Sequence, residues 1–274
     1  MFFKLKILIM RILGYDKPLR IAFLKYLSLK FKTFRPHYET ILLESTNEAK
    51  KIGYKEISVL ELGVAGGNGI ISLEKYKKKI EKLTGIKINI FGFDYGKGLP
   101  ASNNKFDLPF FWSGGDYKVD KEKLNKKINS KIFYGDIDKT FQSFLETNPA
   151  TISAIFFDLD YYTSTKNFLK QIPKNKDFFS PRVYCYFDDV FSVNHYINEH
   201  NGELLAIKEF NNENNEIKIG RSLAEISDFK FPLGNNKLFI LHNFAHNDYL
   251  QILDHNKHKT NLGIDDYKVD SLLD

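Results

Sequence analysis

The chain has 274 residues and 43% hydrophobic content, enough for one large α/β domain with insertions and too apolar for global disorder. A single cysteine, Cys185, excludes an intrachain disulfide framework and a cysteine-based zinc site, and fits a reducing, cytoplasmic setting. The net charge is +6, but the lysines are spread along helical stretches rather than gathered in a block, which reads as a solvated surface rather than a stripe for polyanions.

Met1–Leu13 is apolar and carries Lys4, Lys6 and Arg11. It is shorter than a membrane span, and no small-residue cleavage site follows it. Residues 1–14 read either as an amphipathic helix on a partner or on the inner face of the membrane, or as a helix packed on its own domain. Residues 1–36 as a whole are expected to form a basic, mostly helical accessory segment. No repeat or low-complexity linker appears, so 1–274 is expected to be a single domain.

His37–Ile52 carries Ile41, Leu42, Ala49 and Ile52 at helical spacing. Strands and helices then alternate. Ile57–Leu62 is a β-rich apolar run that ends in Gly-Val-Ala-Gly-Gly-Asn-Gly. A helix follows, with Ile70, Leu73, Tyr76, Ile80 and Leu83 on one face. Further strands are expected at Ile88–Phe93, Lys131–Tyr134, Ile152–Phe157 and Val183–Phe187. Phe229–Pro232 and Leu238–His242 flank Gly234-Asn235-Asn236, which predicts a C-terminal antiparallel hairpin. The whole predicts a mainly parallel, seven-stranded, Rossmann-like sheet with helices on both faces. Residues 95–120 interrupt the rhythm with glycines, two prolines and the trio Phe110-Phe111-Trp112. Irregular segments of this length commonly cover a site, so a lid-like insertion is expected.

The turn after the first strand belongs to a ligand. Glycines occur where a backbone must turn sharply and approach a bound molecule, and open α/β sheets bind at the carboxyl ends of their strands. The loop does not read G-x-G-x-x-G, because Ala65 stands two places after Gly63. An acid, Glu61, precedes that glycine; it would repel pyrophosphate and suit a cation. S-adenosylmethionine carries an ammonium and a sulfonium. Glu61, Gly63, Gly66, Gly67, Asp94 and Asp136 stand at strand ends or in the loops after them and form the candidate cofactor set, Asp94 for the ribose hydroxyls. Asp136 could equally be the N-cap of the next helix.

The fourth strand runs into Asp158-Leu159-Asp160-Tyr161-Tyr162 and the fifth into Asp188-Asp189. Neighbouring strands would bring these carboxylates together, and like charges that close need a metal, a basic partner or a proton. Hard oxygen ligands suit Mg²⁺, Ca²⁺ or Mn²⁺. A metal on Asp158, Asp188 and Asp189 could hold a substrate hydroxyl and lower its pKa, leaving Asp160 as general base. The plainer alternative is that Asp160 and Ser164 cap a helix and Asp189 is a loop carboxylate.

The segments VLELGVAGGNG, FGFD, FFDLDYYTST and YFDDV, over roughly residues 38–190, resemble class I S-adenosylmethionine-dependent methyltransferases, and most of all the macrocin O-methyltransferase group. That resemblance implies magnesium-dependent methylation of sugar hydroxyls. In the group, a D-x-D-x-Y segment and a D-D pair supply the metal site and the base. They match Asp158, Asp160 and Asp188-Asp189 here, with the tyrosine falling at Tyr162. The resemblance implies catalytic roles for Asp160 and Asp158 and metal-binding roles for Asp158, Asp188 and Asp189. It does not extend to the N-terminal segment, and the insertion resembles a subgroup of uncharacterised bacterial methyltransferase-like proteins.

Other candidates carry less. His195 could be an auxiliary base, and His200 follows it; His242, His246, His255 and His258 lack metal-ligand spacing. Trp112 could stack on a sugar, and Arg221 could meet an anion. The expected partner is a small-molecule or saccharide acceptor, and a homo-oligomer is compatible with the sequence. An RNA methyltransferase would need a contiguous basic stripe and often an N/D-P-P-Y segment, where this chain has Asp158-Leu159-Asp160-Tyr161. The third reading is a non-catalytic cofactor-binding protein on the same fold.

Overall fold

The computed structural model describes residues 35–190, 196–223, 237–251 and 253. Residues 1–34, His195, the Phe229–Pro232 strand, His255 and His258 lie outside the described residues. Among the described residues no helix is long and apolar enough to cross a membrane.

The elements run α1 (Pro36–Ile52), β1 (Glu56–Leu62), α2 (Asn68–Thr84), β2 (Lys87–Asp94), α3 (Lys121–Asn125), β3 (Lys131–Tyr134), α4 (Ile137–Leu145), β4 (Ile152–Phe157), α5 (Tyr162–Leu169), β5 (Phe179–Phe187), α6 (Gly202–Glu213), β6 (Ile217–Arg221) and β7 (Leu238–Asn243). The sheet order is β3-β2-β1-β4-β5-β7-β6. The pairs from β3 to β5 are parallel, and β7 is antiparallel to both β5 and β6. The mainly parallel seven-stranded sheet with an antiparallel C-terminal edge is as expected. Among the described residues, β7 pairs with β5 and with Ile217–Arg221; the expected Phe229–Pro232 partner lies outside the described residues. The Ile217–Arg221 strand has little local signal in the sequence, because its alternation is short and sits behind an asparagine-rich stretch.

Side chains of successive strand residues point to opposite faces, so each strand feeds two cores. Leu60, Leu62, Phe157, Phe187 and Phe239 pack with Phe141, Phe144 and Phe168 from α4 and α5 on one face. On the other, Ile57, Val59, Ala154, Phe156 and Tyr186 pack against Tyr38, Ile41 and Leu42 of α1 and Ile70, Leu73 and Ile80 of α2. Leu83, expected on the buried stripe of α2, is instead 65% exposed; in the last turn Ile80 and Thr84 take the buried positions.

Strand register decides where the site forms. Leu62 pairs with Phe93 on one side and Phe157 on the other, and Phe157 pairs with Phe187. The Phe157 and Phe187 rings stack 4.1 Å apart. The strands therefore end level, and the residues that follow (Gly63, Asp94, Asp158 and Asp188) emerge side by side. The chain moves outward from β1 to β2 in one direction and from β4 to β5 in the other. The crevice between β1 and β4 is the switch point of the sheet.

Candidate functional site

A cavity of about 400 Å³ opens over this switch point. Glu61, Gly63, Gly66, Asp94, Asp158, Asp160, Asp188 and Asp189 all line it. Gly67 and Asp136 do not. Gly67 stands behind the loop as the N-cap of α2. Asp136 is the N-cap position of α4, where its backbone oxygen accepts from Lys139 and Thr140 and its half-exposed carboxylate lies 4.0 Å from Lys139 Nζ.

The loop after β1 needs its glycines for stated reasons. Gly63 has a φ of +86°, and a Cβ there would fall inside the Asp158 carbonyl oxygen. A Cβ at Gly69 would collide with Glu61 Oε1. Asp94 draws the loop inward: its Oδ2 accepts from the Val64 and Ala65 amides at 3.0 and 2.9 Å, and its Oδ1 accepts from the Gly96 amide at 2.6 Å. Asp94 was expected to meet ribose hydroxyls. In the structure it holds the loop, and the second lone pair of Oδ1 is what it has to offer a ligand.

Glu61 is 1% exposed and its Oε2 has no hydrogen-bond partner. Burial pushes its carboxyl up to about 8, against the pull of Arg35. Alternation along β1 puts residue 61 on the same face as Ile57 and Val59, which is the face covered by α1. Tyr38 from α1 donates its hydroxyl to Glu61 Oε1 at 3.4 Å and accepts from Arg35 Nη1 at 2.8 Å. Arg35 also lines the cavity and lies 3.6 Å from Asp158 Oδ2.

The carboxylates after β4 and β5 converge as expected. Asp160 has a φ of +60°, a left-handed conformation that aspartate tolerates better than most residues. The Tyr161 amide donates to the Leu159 carbonyl at 2.6 Å, closing a tight three-residue turn about Asp160. The Asp160 amide in turn donates to Asp189 Oδ2 at 3.2 Å. Burial and then the neighbouring Asp189 push Asp160 up to about 9. Burial and then Asp188 push Asp189 up to about 8 and Asp158 to about 7. Asp188 goes the other way: burial would raise it, but Lys237, 3.0 Å away, and the Tyr186 hydroxyl, at 2.5 Å, hold it below the usual range. Lys237 also donates to the Asp188 carbonyl oxygen.

Two of the three ways to relieve such a cluster are therefore open: Asp158 and Asp188 have basic partners, and burial favours the protonated form of Asp160 and Asp189. For a divalent metal, the donors are of the right kind, all hard carboxylate oxygens. Among the described residues, no three acidic, histidine or cysteine side chains stand grouped to ligate one. Asp188 is turned onto Lys237, and Asp158 lies toward Arg35.

Several functional neighbours have no local signal in the sequence. Arg35 and Lys237 come from opposite ends of the chain. Glu203, fully buried in the first turn of α6, accepts the Asp189 amide at 3.0 Å, and burial raises its carboxyl well above the usual range. Asp107, inside the insertion, caps α5: it accepts from the Thr163 amide and hydroxyl at 2.7 and 2.8 Å and from the Ser102 hydroxyl at 2.5 Å. This cap takes the place of Asp160 and Ser164 as helix caps, and Tyr161 is the N-cap residue without a side-chain bond. The Tyr161 hydroxyl donates to the Pro100 carbonyl at 3.1 Å. The insertion is thus tied to the end of β4, and its Leu99, Pro100, Trp112 and Tyr117 wall the cavity. His200 is exposed beside Glu199, and His242 meets the Tyr249 hydroxyl at 2.8 Å on the far side of the sheet. Arg221 lies over the Phe239 ring at the β6 edge.

No family model matches the chain, and no curated protein matches it in sequence. Among solved structures it is similar to CalS11, a calicheamicin methyltransferase, at 20% identity and a TM-score of 0.52, over 83% of this chain and 87% of that one. An apo structure of CalS11, described as a TDP-rhamnose 3'-O-methyltransferase, aligns at 16% identity and a TM-score of 0.44, over 83% and 88% of the two chains. The O-methyltransferase NovP aligns at 12% identity and a TM-score of 0.48, over 76% and 79%. The CalS11 likeness establishes a shared architecture: this chain has the Rossmann-like fold of class I methyltransferases.

Proposed function

We propose that the chain is an S-adenosylmethionine-dependent O-methyltransferase that acts on a hydroxyl of a sugar, glycolipid or polysaccharide precursor. The observation that carries this reading is the acidic lining of the cavity. Among the described residues, Glu61, Asp94, Asp158, Asp160, Asp188 and Asp189 line it against one lining cation, Arg35. Burial keeps several of these carboxyls protonated until a cation arrives, and such a lining suits a sulfonium and an ammonium rather than a polyphosphate or RNA backbone. The orphaned Glu61 Oε2 at the floor suits the cofactor's ammonium.

S-adenosylmethionine supplies a methyl group bonded to positively charged sulfur, open to displacement by an oxygen nucleophile. The chain's own residues do the rest. Asp160 faces the cavity from a fixed turn and is protonated at pH 7 before ligands bind; incoming positive charge releases that proton, and the carboxylate then accepts the proton of the acceptor hydroxyl. Asp158, beside Arg35, orients the acceptor. Asp158, Asp188 and Asp189 would hold Mg²⁺ or another divalent cation, once Asp188 exchanges Lys237 for it, and the ion would lower the pKa of the acceptor hydroxyl. The insertion at residues 95–120 supplies Trp112 and Tyr117 as an aromatic wall for the acceptor, within a single domain spanning 1–274. The lone thiol fits a cytoplasmic setting, and residues 1–14 would be the segment for a peripheral membrane contact.

Calorimetry with S-adenosylmethionine, with and without Mg²⁺, followed by a screen of hydroxylated saccharides for S-adenosylhomocysteine formation, tests this. Binding without product from any acceptor class would favour a non-catalytic cofactor-binding protein. If Asp158→Ala and Asp188→Ala both retained methyl transfer, or a chelator left it unchanged, the metal role is wrong. Salt-dependent binding to mixed RNA would support the RNA methyltransferase alternative instead.

A further inference from the structure

We infer that Arg35 receives the α-carboxylate of S-adenosylmethionine while Glu61, on the other side of the Tyr38 hydroxyl, receives its α-ammonium; this rests on the cofactor reading above. The two charged groups of an α-amino acid sit on one carbon. A site for it therefore needs a cation and an anion held a few ångströms apart on one wall. Among the described residues that line the cavity, Arg35 is the one cation.

Its position is built. The guanidinium carbon lies 4.9 Å from the Tyr38 ring centroid, and Nη1 donates to the Tyr38 hydroxyl at 2.8 Å. That hydroxyl passes its own hydrogen to Glu61 Oε1 at 3.4 Å. One buried tyrosine thus fixes both charges, and Tyr38 is itself held between Phe156 and Tyr186 in the core. The approach to Asp158 is 3.6 Å, longer than a charge-assisted hydrogen bond and without a two-bond fork. A guanidinium is the side chain whose planar fork of donors matches a carboxylate. Here it is 28% exposed and turned to the cavity, where a ligand can meet it.

The consequence is selectivity for a cofactor that keeps its amino-acid carboxylate. The test is calorimetry on the wild-type chain and Arg35→Met with two probes, S-adenosylhomocysteine and S-adenosyl-3-thiopropylamine, which is the same molecule without the carboxylate. The expected result is that Arg35→Met weakens S-adenosylhomocysteine by about 10- to 150-fold, the range for a hydrogen bond to a charged group. The decarboxylated probe should bind the variant as well as or better than it binds wild type, which also shows the variant to be folded. Arg35→Lys should recover part of the loss. Equal weakening of both probes, or unchanged S-adenosylhomocysteine affinity, overturns the assignment. If wild type binds neither probe, the cofactor reading fails and takes this assignment with it.

Discussion

Replacing Glu61 by glutamine removes one charge and keeps the shape, and it should move stability and binding in opposite directions. The carboxyl has an ordinary value of 4.5 and is pushed to about 8 by burial in the folded chain. Between those values the folded state holds a proton that the unfolded state has released. Stability from this group is therefore full below 4.5, falls as pH rises, and is lost once pH passes 8. At about 1.4 kcal/mol per pH unit, the ionised carboxylate costs the fold on the order of 5 kcal/mol above pH 8. Glutamine does not ionise, so Glu61→Gln should melt roughly 10–20 °C above wild type at pH 9 and close to it near pH 5. Cofactor binding should weaken about 10- to 150-fold, the loss of a charge-assisted bond to the ammonium. Thermal denaturation across pH and calorimetry with S-adenosylhomocysteine read the two effects. A melting difference that does not change with pH, or undiminished affinity, would refute the reasoning.

Asp160→Asn should leave cofactor affinity close to wild type and lower kcat by about 10²- to 10⁴-fold, as expected for a lost general base; asparagine also accepts the left-handed backbone, so the fold is spared. Steady-state kinetics beside calorimetry checks this, and equal loss in binding and turnover would make the residue structural. Gly63→Ala combines a φ of +86° with overlap on the Asp158 carbonyl and should cost about 2–6 kcal/mol. A melting temperature unchanged from wild type would show that the loop relaxes freely.

How much of this could be read from the residues depends on range. The first four parallel strands and α1 were legible because alternation and helical spacing are local, and β1, β3 and β4 fall within a residue of expectation. Glu61, Gly63, Gly66, Asp94, Asp158, Asp160, Asp188 and Asp189 were legible as strand-end residues, since a parallel sheet gathers its carboxyl ends at one edge. The β6 strand and the partner of β7 were not, because strand pairing is non-local and a short run does not state which edge it will join. Asp136 and Gly67 have the right spacing but do not line the cavity, since spacing fixes the place of a residue along the chain and not which way the local backbone presents it.

The sequence by itself determined the layered α/β fold, the glycine turn and the concentration of carboxylates after β4 and β5, all set by patterns within one element and its following loop. Tertiary structure alone decided how that charge is balanced. Arg35, Tyr38 and Lys237 reach the carboxylates from α1 and the far end of the chain, and Asp107 reaches α5 from the insertion. These partners stand 23 to 123 residues away in sequence from the groups they meet, and only the level ends of the strands, with one face covered by α1, bring them to the same few ångströms.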